Sequence, residues 1–454
     1  MYGRREQVEA HSFLTGRITA AVLRADPDAA DRPLRRTTVG MAGGIGVAIL
    51  VIAIVLIVTL FTDRTGDSWR EPGTLIVEED SGNRYLLIHD QLRPVLNYAS
   101  ARLLVEGNPP VESVSADDLA AVPKGAPVGI MGAPDTLPSP QPTAQPWTVC
   151  AGVTEDDPGV SVTVGDVPGA AAVGAGEALL VRAGDQVFLA WQESRLRITA
   201  SWVPRALGLD PSSAVSVDSA WLNALPAGPD LGAPPVSHGS PGPNLGGRAT
   251  TTGQLITVPE AVGDTDFVVA ADGLLPVSET VAALLRADPD TDQEPEITLT
   301  PAQLATQQVL PAPVWQAELP AKPPVAMDTR SSVPCVRWEA DHAALVAAPA
   351  MVGSTQDSDP AGVVRDGRVA DVVDVAPGAG LLARTRPAPG VPGAGVYLIT
   401  EAGAKFPVGS SKAAEALGFS VDAAVLVPAE LLALLPTGPL LSQSAALASQ
   451  PLGS

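Results

Sequence analysis

Met41 to Phe61 (MAGGIGVAILVIAIVLIVTLF) is an uncharged run of 21 residues. At 1.5 Å rise per residue a helix of that length reaches about 30 Å, the thickness of a bilayer core, so the run commits the chain to a membrane. A cleaved secretory leader has a short basic start, an apolar core of about 7–15 residues and a small-residue cleavage site. Here forty residues precede the run, and Thr-Asp-Arg-Thr follows it.

Arg32, Arg35 and Arg36 stand immediately before the span, whereas the far flank (Asp63, Arg64, Asp67, Arg70, Glu71) is mixed. The positive-inside rule therefore predicts a single-pass protein of the cytoplasmic membrane, N-terminus in the cytoplasm and everything from about residue 65 outside. Charge is divided to match: residues 1–40 hold seven Arg and five acids, and the remainder holds 21 basic against 45 acidic residues. A net charge of −22 repels phosphate backbones, which excludes nucleic acid as a partner. Gly40 and Gly44 form a small-xxx-small pair that would let another helix approach closely, although glycine is common in spans. Val8, His11, Leu14, Ile18 and Val22 recur at helical spacing, predicting an amphipathic helix that stops near Asp26-Pro27. Its other face mixes Arg and Glu, which favours docking on a cytoplasmic partner over lying on lipid.

The full chain is 46% hydrophobic and can bury sizeable cores outside the span. Its 43 Gly and 45 Pro follow no G-X-Y period, so they mark turns and linkers rather than a collagen. Four segments, 85–125, 179–228, 266–313 and 395–438, share one order of features. Each has a strand-like run, a turn, a short second strand, a helix, a hydrophobic residue before a second short helix, and a closing Pro. Pro94 to Pro123, Arg197 to Pro226 and Pro407 to Pro436 are each 29 apart, and Pro276 to Pro311 is 35 apart around the acidic stretch DPDTDQEP. Ser115 and Asp218 are placed to N-cap the second helix, and Thr300 does so with Pro301 at the first helical position.

The expected fold is α+β, with four ββαα repeats around a β-rich central domain. Strand-like runs between repeats (SVTVGDV, QLITVP, GRVADVVDV) are expected to build that centre. The organisation reads as a cytoplasmic helix and basic flank at 1–36 and the span at 41–61, then repeats at 74–125, 176–228, 265–313 and 393–438. Central segments fall at 126–175, 229–264 and 314–392, and a tail at 439–454.

Cys150 and Cys335 are the only cysteines, in WTVCAG and VPCVRWEA, both on the predicted oxidising side. A bond between them would close a loop of about 185 residues, worth roughly 3–5 kcal/mol in the chain-entropy model; the alternative is two buried free thiols. Two cysteines and four scattered histidines do not supply a structural zinc site. His342 beside Asp341 reads as a solvated charge cluster rather than half a catalytic site. The nearest approach to a phosphate-binding loop, GAKFPVGSSK (403–412), has Ala413 where the hydroxyl belongs, and reads more simply as a hairpin entering a helix through Ser410 or Ser411. No catalytic residue, cofactor or metal is predicted. The seven Trp are scattered and read as core or interface anchors rather than a sugar platform.

The segments RREQVEAHSFLTGRITAAVLRADPDAADRPLRR (4–36), GTLIVEEDSGNRYLLIHDQLRPVLNYASARLL (73–104), GAPDTLP (132–138) and WTVC (147–150), with the span between the first two, resemble the EccB family. This is the single-span core component of the actinobacterial type VII (ESX) secretion system. The resemblance implies a membrane complex with EccC (an FtsK/SpoIIIE-type ATPase), EccD, EccE and the mycosin protease, and self-association of an exterior part. It also implies four exterior repeats around a disulfide-tied central domain, and likeness of those repeats to a phage-lysin wall-binding subunit. Some members carry an ATPase label, which would make ATP a ligand by family name alone. The expected role is a non-catalytic assembly component. The alternatives are an ATP-hydrolysing component, a cell-wall anchor and a sensor of exterior signals.

Overall fold

The computed structural model describes residues 3–24, 35–62, 67–140, 145–152, 159–260, 263–291, 295–349, 362–365, 369–386 and 395–448. It divides into a part ending at Trp69 and a part beginning at Arg70.

The first part carries two helices, Arg4–Arg24 and Arg35–Thr62. In the former, Val8, Leu14, Ile18 and Val22 are all exposed, leaving the predicted apolar stripe open. The latter has 28 residues, and its window Val39–Ile57 has a mean hydropathy of 2.7 with nothing buried. Among the described residues it is the one helix long and apolar enough to cross a membrane.

The second part is β-rich, and four of its sheets share one strand order. In each, three strands form an antiparallel meander and a fourth returns parallel to the first. Module one uses Leu75–Glu78, Arg84–Ile88, Gln91–Pro94 and Val111–Val114. Module two uses Glu177–Ala183, Gln186–Trp191, Ser194–Arg197 and Val215–Ser216. Module three uses Leu255–Glu260, Gly263–Ala270, Gly273–Val277 and Ile297–Thr298, and module four Leu381–Thr385, Val396–Ile399, Lys405–Pro407 and Val425–Val427. One helix joins the third strand to the fourth, and a second follows the fourth.

The sheets of modules one, three and four thus hold two more strands than the ββαα reading gave, and that of module two holds three more, because Val325–Ala326 also pairs parallel to Glu177–Ala183. The hydrophobic residue before the second helix belongs to a returning strand of two to four residues, too short to show a period. Two of the opening strands fell in segments read as central. QLITVP lies in the sheet of module three, and Leu381–Thr385, within 314–392, opens module four. The segment 229–254 carries only isolated bridges such as Pro241↔Thr251 and Leu245↔Arg248.

The closing prolines have a definite job. The third-strand amides of Leu92, Arg195 and Lys405 donate to the carbonyls of Pro123, Pro226 and Pro436. In module three Leu274 donates to Gln308 instead, so Pro311 is not the counterpart of the other three. The predicted caps form: Ser115 and Asp218 accept from Asp118 and Ala220, and Thr300 closes a capping box with Gln303.

A six-stranded sheet lies among the modules, ordered Val372–Val375, Val160–Val164, Trp147–Ala151, Val333–Glu339, His342–Ala348, Ala171–Ala172. SVTVGDV and GRVADVVDV therefore do supply it. Side chains alternate between its faces. Val149, Val162, Val336 and Leu345 point one way, onto Trp221, Leu222 and Leu225 of module two and Leu431, Leu432 and Leu435 of module four.

Candidate functional site

The polar and covalent contacts between the parts of this fold gather at its joints, and the first is the middle of the central sheet. Trp147–Ala151 and Val333–Glu339 run antiparallel with Cys335 directly opposite Cys150. Their Cα atoms are 4.0 Å apart and the sulfurs are bonded, across a sequence separation of 185. Both cysteines are buried, on the face turned away from modules two and four, among Val167, Val333, Val346 and Ala348. The disulfide therefore ties the insert between modules one and two to the insert between modules three and four.

Two indoles lock the other face. Trp221 Nε1 donates to the Pro334 carbonyl at 3.1 Å, and Trp338 Nε1 donates to the Ala224 carbonyl at 2.7 Å. Trp221 is completely buried, so its ring contributes a large apolar area and its N–H is satisfied across the junction. Nearby, Arg195 of module two donates to the Leu222 carbonyl and to Asn223 Oδ1, and burial pushes its pKa down while Glu430 opposes that shift. Lys405, at the same strand position in module four, donates to the Leu432 carbonyl. Both cations meet the carbonyl-rich end of the module's second helix, where a positive charge is favourable.

The outer modules are held by helices. Ala99, Leu103 and Ile130 of module one share a core with Leu382, Phe406, Ala413 and Leu417 of module four. Arg102 Nε donates to the Ala416 carbonyl at 3.0 Å. Glu106 accepts from Lys412 at 2.8 Å and Gln443 at 2.7 Å, and these bonds hold its carboxyl below the usual range. Gln443 opens a short helix, Gln443–Leu447, whose Ala446 is fully buried, so this portion of the tail is occupied within the same chain. Modules two and three join through Leu196, Val203 and Leu207 against Val281, Leu284 and Leu285.

The remaining predicted positions are placed simply. Arg35 and Arg36 open the long apolar helix, and Arg32 lies outside the described residues. Gly40 and Gly44 lie in that helix, where an added Cβ would meet nothing within 4 Å. His342 stands 3.8 Å from Glu193 with both side chains exposed, and Asp341 is paired with Arg386. In the 403–412 segment Ser410 caps the helix Ser411–Ala416, and Lys412 is the partner of Glu106. Among the described residues no group of three His, Cys, Asp or Glu is arranged to hold a metal. Sequence reasoning missed the joints at Arg102, Glu106 and Arg195, whose partners lie in other helices; the Glu106 and Arg102 partners are over 300 residues away.

A family model described as "Type VII secretion system ESX-1, transport TM domain B" matches residues 2–451. The "ESX-5 secretion system ATPase EccB5" of Mycobacterium tuberculosis is 31% identical over 479 residues, covering 98% of this chain and 92% of its own. The "ESX-2 secretion system ATPase EccB2" of the same organism is 31% identical over 481 residues, covering 98% and 94%. The periplasmic assembly from the ESX-5 inner membrane complex superposes with a TM-score of 0.70 at 29% identity, over 87% of this chain and 100% of that one. A chain of the intact ESX-5 inner membrane complex gives a TM-score of 0.70 at 27% identity, over 100% and 97%. With a matching family model over nearly its whole length, an apolar helix near the N-terminus and a β-rich remainder of the same fold, the chain belongs to the EccB family of type VII (ESX) secretion proteins.

Proposed function

We propose that this chain acts as a structural core component of a type VII secretion inner-membrane complex, supporting protein export by assembling other components rather than by a reaction of its own. The observation that carries this reading is the likeness, along the whole chain, to the subunit of the intact ESX-5 inner membrane complex. In this reading the N-terminal helix docks on cytoplasmic partners, the apolar helix joins the membrane bundle, and the part from Arg70 onward stands outside and self-associates. The four modules are copies of one unit arranged about the central sheet. Partners are an EccC-type FtsK/SpoIIIE ATPase, EccD, EccE and the mycosin protease. Energy comes from the ATPase partner, and neither ATP nor a metal is a cofactor of this chain. Joints built from buried indoles, a disulfide and helix-to-helix cores suit a scaffold that must keep its modules in fixed register.

The test is a gentle-detergent pull-down of the tagged full-length chain, beside a form lacking residues 1–36, read by mass spectrometry and native sizing. A large complex containing the ATPase partner, weakened without the leader, is the expected result. A lone protein in both samples would overturn it. The curated relatives carry "ATPase" in their names; ATP turnover by this chain after separation from its partners would support that reading instead, and retention on purified peptidoglycan would support a wall anchor.

A further inference from the structure

Three of the four modules close in the same way. The main chain beyond the second helix returns to the end of the third strand and pairs there through one residue, whose amide donates to the strand and whose carbonyl accepts from it. That residue is Val128 in module one (to Pro94, from Leu96), Leu231 in module two (to Arg197, from Thr199) and Leu441 in module four (to Pro407, from Gly409). In module three the same two strand groups are met by a side chain. Gln316 Nε2 donates to the Pro276 carbonyl at 3.0 Å, and the Ser278 amide donates to Gln316 Oε1 at 2.9 Å. A carboxamide offers an acceptor and a donor as a peptide group does, so it can stand in for main chain.

The consequence is spare chain. From the carbonyl that meets the third strand to the pairing residue is five positions in the other modules (Pro123 to Val128, Pro226 to Leu231, Pro436 to Leu441) and eight in module three (Gln308 to Gln316). The released stretch runs between Leu310, whose amide donates to Leu274, and Trp315, which packs against the core joining modules two and three. Residues 310–314 read LPAPV. The proline rings fix φ at Pro311 and Pro313, and each proline bars its predecessor, Leu310 or Ala312, from helical backbone, so the stretch is confined to polyproline II geometry. Pro313 stands at φ −63°, ψ 133°. Exposure follows the three-residue period of that helix: Leu310 and Pro313 are half-buried, whereas Pro311 and Val314 are exposed, with Ala312 exposed between them. Val314 is 87% exposed, more than any other Val, Leu, Ile or Met among the described residues. The carbonyls of Leu310, Pro311 and Ala312 accept no hydrogen bond from the described residues, and residues 297–317 carry no charge.

We propose that residues 310–314 are a docking segment for a partner protein bearing a groove lined by aromatic side chains, and that Gln316 holds the segment out from module three. A polyproline II stretch is extended before it binds, so little freedom is lost on docking. Its proline rings and bare carbonyls suit Trp and Tyr, which offer a flat ring with an N–H or O–H at its edge. A strongly charged groove finds no counter-charge here. The proposal rests on the assembly role above, since it supplies one contact through which that assembly is made.

The experiment places the photo-crosslinker p-benzoylphenylalanine at Val314 of the tagged full-length chain or, for comparison, at Asp272 in an exposed turn of the same module. The detergent-extracted complex is irradiated and the adducts are mapped by mass spectrometry. Position 314, and not 272, should give an adduct on another protein, within a stretch holding at least two Trp, Tyr or Phe. A capped hexapeptide Val-Leu-Pro-Ala-Pro-Val at about 1 mM should suppress that adduct, and the same peptide with alanine for both prolines should not. Pro311→Ala combined with Pro313→Ala in the chain should weaken the adduct about tenfold. Gln316→Ala should weaken it likewise and speed amide exchange at Ser278, with unchanged exchange in modules one and four showing that each variant is folded. An intact complex without the adduct would overturn the proposal, as would an adduct on lipid, on a second copy of this chain or on a stretch free of aromatic residues. So would an adduct that the two peptides affect equally or that survives the proline changes undiminished. In each of these cases the assembly role still stands, whereas a chain recovered alone would overturn both.

Discussion

At the scale of single residues, equivalent positions in the four modules have been given different work according to what each module touches. The third-strand position held by Leu92 and Leu274 in modules one and three is Arg195 and Lys405 in modules two and four, the pair seated on the central sheet. There the cations close off helix carbonyls beside the sheet, whereas the leucines are simply buried in their own modules. Glu106 shows the same economy at the joint of modules one and four. Its folded pKa is depressed below the ordinary 4.5 by Lys412 and Gln443, so its contribution is full above that value and is lost as pH falls through the folded pKa. Glu106→Gln should therefore lower the Tm slightly at pH 7, as befits an exposed pair, and the gap between variant and parent should close in acid, once the pH has fallen through the folded pKa. Thermal unfolding at neutral and acid pH checks this; a gap that persists in acid would show that the joint owes nothing to the charge of Glu106.

At the scale of elements, the Cys150–Cys335 bond connects two strands that are already hydrogen-bonded neighbours in register. Replacing both by Ser should preserve the sheet and lower stability by about 2–5 kcal/mol, because the unfolded chain regains the freedom of a very long loop. Denaturant unfolding measures this, and a change below about 0.5 kcal/mol, within what a surface substitution does, would leave the bond without a stabilising role. This element was legible in advance because two cysteines on a side predicted to be oxidising, each a few residues from a Trp, have few alternatives. The caps at Ser115, Asp218 and Thr300 were legible for a local reason: a side chain and the amide it serves lie within three residues. Strand allegiance was not. LITVPE is a good strand in any sheet, and whether it pairs with DFVVA or with the central strands depends on contacts the local pattern does not encode. The module-three register slipped for a related reason, since Pro311 is conspicuous in the sequence while the atom that matters, a backbone carbonyl, is supplied by Gln308.

At the scale of the whole molecule, the basic residues before the apolar helix and the acidic excess after it make a directional statement that can be checked without a structure. Protease added to intact spheroplasts should digest the part from Arg70 onward and spare a tag placed at the N-terminus, as detected by blotting; the opposite pattern would reverse the topology. The architecture of the part from Arg70 onward bears on how such a protein comes into being. Each half of the central sheet takes its outermost strand from the other half: Val372–Val375 lies on Val160–Val164, and Ala171–Ala172 lies on His342–Ala348. The amide of Val160 is met by the carboxylate of Asp371, 211 residues further along. A chain made from its N-terminus thus emerges with its early half carrying an uncovered strand edge, and contacts of such long range form late and slowly. The finished sheet records a waiting period: the first half stays unsealed, its edge open to pairing with neighbouring chains, until the segment just before the last module has been made.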